Sequence, residues 1–93
     1  MDDLMVKTHP ISSKSLIGIG VKNNLGEELG EIKEILVEPE NGYVVNLIME
    51  TGNFIGFKKH IAIPWDMLKF DGENVLMNIE KDFIERIPAY DEK

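Results

Sequence analysis

Two histidines, three serines and a run of glutamates are the residues of this sequence whose types could do chemistry. His9 precedes Pro10 in an amino-terminal stretch that mixes acids with a lysine, and His60 follows Lys58 and Lys59. Neither has a second histidine at metal-ligand spacing, and the chain has no cysteine to supply a thiolate, so neither reads as a zinc ligand. Ser12, Ser13 and Ser15 cluster outside any nucleophile-elbow context and read as turn or helix-start residues. A triad through His60 would rest on geometry alone.

Gly18-Ile19-Gly20 followed by Gly26 has two glycines of a phosphate-cradling loop. The third is displaced and no βαβ unit follows, so a bending strand is the better account. Asp71-Gly72-Glu73-Asn74 offers oxygen ligands without the twelve-residue loop of a calcium site and reads as an ordinary turn. Carboxylates abound, yet none has the apolar flanks that would raise a pKa for acid catalysis. The expectation is a chain with no catalytic residue, no cofactor and no metal.

Charge is the more informative signal. Between residues 27 and 40, Glu27, Glu28, Glu31, Glu34, Glu38 and Glu40 face Lys33 alone. That is either a solvated outer face or a docking face for a basic partner. Lys58-Lys59-His60, beside Phe54 and Phe57, is the one basic cluster. It is too small to overcome a net charge of −7, so nucleic acid is an unexpected partner.

The elements that hold these residues read as short strands. Residues 15–21 alternate β-branched residues with glycines and read as a bending strand, followed by a turn at 22–26 where Asn and Gly tolerate positive φ. Leu29, Ile32, Ile35, Leu36 and Val37 fit neither strict alternation nor a helix, and a β-bulge near Lys33-Glu34 reconciles them. Pro39-Glu40-Asn41-Gly42 predicts a hairpin turn into a strand over 43–50. A strand over 60–63 ends at Pro64, Trp65 leaves the sheet, and residues 69–79 form one more hairpin. Phe83, Ile84 and Ile87 then stand at helical spacing before Pro88, a short helix or 3₁₀ segment closing one barrel end.

At 93 residues the chain is one domain, expected over 12–90 with tails at 1–11 and 91–93. With 43% hydrophobic and 29% charged residues it folds rather than staying disordered. The absence of cysteine, of a basic-then-apolar start and of any stretch able to span a bilayer points to the cytoplasm, with no membrane insertion. The fold class expected is all-β: a small, partly open β-barrel meander of five or six strands.

Leu16-Ile17-Gly18, residues 25–32 (Leu-Gly-Glu-Glu-Leu-Gly-Glu-Ile), residues 38–42 and Ile61-Ala62-Ile63-Pro64-Trp65 together resemble a stand-alone PRC-barrel domain. This family includes domains of the photosynthetic reaction centre H subunit and of the ribosome maturation factor RimM. The resemblance covers residues 13–90 and implies assembly and docking roles with no catalytic residues to carry over. It implies a non-enzymatic protein-interaction adaptor, with archaeal cell division as one process, and RNA processing or ribosome assembly as the alternative.

A homodimer is expected as well, besides a protein partner whose identity the residues do not give. Val44 and Ile48 alternate with Val45, Leu47 and Met49, and a small barrel encloses only one of those sets. Val44, Ile48, Leu36 and Tyr43 are therefore the candidate interface residues. Their cover is either the terminal helix or a symmetric second copy.

Overall fold

The structure is a computed structural model that describes residues 12–52, 58–71 and 74–90. Six strands form one sheet: β1 (Gly20–Lys22), β2 (Glu28–Val37), β3 (Val44–Gly52), β4 (Lys58–Pro64), β5 (Lys69–Asp71) and β6 (Asn74–Leu76). Their order across the sheet is β4-β3-β2-β1-β6-β5. The first four strands meander antiparallel, and the β5–β6 hairpin then returns to lay β6 parallel to β1, pairing Val21 with Val75. The two ends of this order, β4 and β5, do not pair, so the barrel stays open.

The long β2–β3 ladder carries the predicted bulge. Ile32 pairs with Met49 and Glu34 with Ile48, which leaves Lys33 as the extra residue. The insertion lets Ile32 and Ile35, three apart, both turn toward the core, while Glu31 and Glu34 turn away. The hairpin tip also forms as its residues dictate. Gly42 takes φ +76, its N–H donates to the Glu38 carbonyl, and the Tyr43 N–H donates to the Asn41 side chain.

Residues 16–19 do not form the expected strand. Ser12 caps a 3₁₀ turn over Ser13–Ser15 by accepting from the Lys14 N–H, and Gly18 at φ +92 reverses the chain before β1 begins. Local capping by serine and the glycine turn outweigh the β propensity of the isoleucines here. In the next turn only Gly26 has positive φ, at +83, and the asparagines do not. Asn23 acts differently, buried at 4% exposure with every side-chain hydrogen-bonding position used. Its Nδ2 donates to Glu27 Oε1 at 2.8 Å and to the Ile79 carbonyl at 3.1 Å, and its Oδ1 accepts from the Leu25 and Glu27 amides.

The core gathers Val21, Ile32, Leu47, Met49, Ile61, Ile63, Val75 and Met77 from five strands and the β6 exit. Helix α1 (Lys81–Ile84) adds Ile84, which is buried, whereas Phe83 is exposed. Lys59 ties the chain beyond α1 to β4, its ammonium donating to the Glu85 and Ile87 carbonyls. Such a cation also suits the negative end of a helical turn.

Pro64 closes β4, and Trp65–Met67 leave the sheet in a 3₁₀ turn. Trp65 is half-buried against the core, its ring centroid 5.1 Å from that of Phe70. Because part of the Trp65 surface stays exposed, Trp65→Ala is expected to cost about 2 kcal/mol, below the range for fully buried aromatics. Urea unfolding with an unchanged slope measures this.

Candidate docking site

Two places on the described surface are candidates for a site. The first is built by register: Glu50 on β3 lies between Glu31 of β2 and His60 of β4. The His60 carbonyl accepts from the Tyr90 N–H and so points away from β3. Glu50 and His60 are thus a non-hydrogen-bonded pair, the kind whose side chains come closest. His60 Nε2 and Glu50 Oε2 meet at 3.1 Å, and Lys33 and Lys58 approach the other oxygen at 3.7 and 4.0 Å. Lys33 also lies 3.6 Å from Glu31, beside the bulge that aims it here.

The His60 hydrogen bond, opposed by desolvation and aided by Lys33 and Lys58, holds the Glu50 carboxyl below the usual carboxylate range. A carboxyl depressed in the folded state contributes stability above its unfolded pKa and loses it as pH falls through the folded one. The stability difference between wild type and Glu50→Gln is therefore expected to be full at neutral pH and to vanish toward strongly acidic pH. Urea midpoints across that range check it, and a gap independent of pH would contradict it.

Beside this network runs an open groove of about 780 Å³, flanked by Gly20, Gly30, Gly52, Lys58, Lys81 and Glu85. Its lysines alternate with carboxylates, so it presents no field of one sign to an anion or a cation. Among the described residues no group of three His, Cys, Asp or Glu could hold a metal ion.

The second place is the end of the β2–β3 hairpin. Tyr43 is 70% exposed, and Val45, only two residues from the buried Leu47, is 47% exposed. With Glu38, Glu40, Pro64, Trp65 and Asp66 they line a shallow, open cleft of about 510 Å³. Val37 and Met67 stay exposed nearby in sequence. The core ends here because β4 stops at Pro64, opposite Asn46, while the hairpin runs on.

Of the four expected interface residues, the structure leaves Tyr43 exposed and Leu36 and Val44 half-buried. Ile48 has no exposure at all within the single chain and offers no surface to a second copy. Both facing sets of β3 are covered at its centre, Leu47 and Met49 by the core and Ile48 on the opposite face. Val45 and Trp65, which complete the cleft, were not among the expected residues. Their signal is the uneven length of β3 and β4, which Pro64 announces.

The remaining described sequence candidates make local structural contacts. The Ser15 hydroxyl donates to the Ser12 carbonyl within the same turn, and His60 is engaged by Glu50. Gly18 and Gly26 supply positive φ. His9, Phe54, Phe57, Gly72 and Glu73 lie outside the described residues, as do the expected tails at 1–11 and 91–93. No helix among the described residues is long and apolar enough to cross a membrane.

A search among curated proteins finds no match to this chain. Among solved structures, a Pseudomonas aeruginosa protein assigned to 16S ribosomal RNA processing, RimM, is similar at 15% identity and a TM-score of 0.49. The match covers 84% of this chain and 49% of that one, so this chain spans about half the length of that protein. The family described as PRC-barrel domain matches residues 11–84. With that match over most of its length, and the open six-stranded sheet that carries it, the chain belongs to the PRC-barrel domain family.

Proposed function

We propose that this chain is a non-enzymatic adaptor that docks a protein partner through the end of its β2–β3 hairpin. The observation that supports the reading most is the exposure of Tyr43 and Val45 beside Trp65, an aromatic and aliphatic surface left uncovered where the core ends. Contiguous apolar surface of this kind, rimmed by polar groups, is what protein interfaces are made from. On the family resemblance alone, we attach to it the process of archaeal cell division.

Ribosome assembly or RNA processing is the competing reading, and charge separates the two. Phosphate contacts need lysine and arginine, whereas this chain carries a net charge of −7. The protein is expected to retain no ribosomal RNA fragment on a filter at physiological salt. Submicromolar, salt-sensitive retention would replace the adaptor reading with the RNA one.

Self-association is a second reading, favoured by Val37, which is 51% exposed beside the half-buried Leu36. Light scattering at high micromolar concentration decides it. A dimer that dissociates on Val37→Glu supports it, and a monomer refutes it.

A further inference from the structure

Resting on the docking reading, we propose that the cleft between the hairpin tip and Trp65 takes a basic segment of a partner protein, held by a central apolar anchor. Two sets of residues carry this. Tyr43, Val45 and Trp65 provide the apolar lining, which we take as the floor: a phenol ring, a branched aliphatic group and the accessible part of an indole. Such a floor suits a leucine or phenylalanine side chain.

Glu38, Glu40 and Asp66 provide the rim. All three are exposed, and none has an ion-pair partner among the described residues. Among the described residues no lysine or arginine lines the cleft. This distinguishes it from the Glu50 network, where three of the facing groups are cations or a histidine that neutralise the carboxylate. The unneutralised rim attracts positive charge at long range and leaves it accessible at contact.

The same charge argues against a second copy as the occupant. A two-fold pairing through the cleft sets each patch against itself, bringing Glu38, Glu40 and Asp66 toward their own counterparts. It argues equally against a phosphate backbone. A lysine- or arginine-flanked anchor satisfies both floor and rim.

Trp65 is the only tryptophan in the chain, so its emission reports on the cleft directly. The probe is a synthetic peptide of about ten residues, with leucine and phenylalanine at its centre and lysines on both sides, a length that spans such a cleft. Adding it is expected to give a saturable change in Trp65 emission that weakens as salt rises. The glutamate-flanked version of the peptide, and lysines without the apolar centre, are expected to give none.

Glu38→Lys with Glu40→Lys is expected to weaken binding at least about tenfold, as is Tyr43→Ser, with circular dichroism unchanged because all three side chains are exposed. Equal binding of the acidic peptide, no response to the basic one, or binding that ignores these substitutions would overturn the proposal. Protein crosslinks at position 43 in cells, together with no response to the basic peptide, would keep the adaptor reading while removing its basic partner.

Discussion

Gly30→Val is expected to destabilise the fold by about 3 kcal/mol or more, because β2 and β3 approach so closely at that residue that no side chain fits. A Cβ there would sit 2.6 Å from Met49 Cγ and 2.7 Å from the Glu50 carbonyl oxygen. Met49 is buried in the core, and the carbonyl belongs to the strand backbone, which cannot yield as a side chain can. The strands must therefore part, and the ladder that aligns Glu31 with Glu50 parts with them. Gly20→Ala is the control, since its Cβ would meet nothing nearer than 3.9 Å. Urea midpoints are expected to drop sharply for the first variant and to stay near wild type for the second. Similar values for both would contradict the close approach.

The second large effect is expected at Asn23. Alanine there removes four hydrogen bonds at once, two accepted from the Leu25 and Glu27 amides and two donated to Glu27 Oε1 and the Ile79 carbonyl. At about 1 kcal/mol for each bond, with desolvation of the orphaned groups added, the loss is about 4 kcal/mol or more. The bond to Ile79 joins the β1–β2 turn to the chain leaving β6, so the parallel β1–β6 pairing is expected to loosen first. Hydrogen exchange at the Met77 amide, which donates to the Lys22 carbonyl, reads that loosening. Asn24→Ala, at an exposed position, is expected to change neither quantity.

These two residues mark the boundary of what the sequence makes legible. The hairpin tip was readable because Pro39, Asn41 and Gly42 impose a turn through their own backbone preferences, and the bulge because Ile32 and Ile35 break strict alternation. Both signals are local. Asn23 looks like any turn asparagine, and what distinguishes it is a partner 56 residues away. The parallel pairing of β1 with β6 is non-local in the same way and leaves no periodicity to read.

The overextended first strand has another cause. Isoleucines at 17 and 19 favour a strand, but the Ser12 cap and the reversal at Gly18 act through backbone hydrogen bonds that composition does not display. At the candidate site, Tyr43 was legible as a residue flanking the turn. Ile48 was not, because alternation says that two sets of residues face opposite ways without saying which are covered. Its complete burial moves the accessible surface to the end of the hairpin, where Val45 and Trp65 join Tyr43.

The claim that this chain works by docking protein at the hairpin end is tested most directly by site-specific photocrosslinking in living cells. A crosslinker at position 43 is compared with one at position 25, whose leucine is 81% exposed at the opposite end of β2. Discrete protein adducts at 43, absent at 25, are the result expected. RNA adducts at either position, or the same protein adducts at both, would contradict the account.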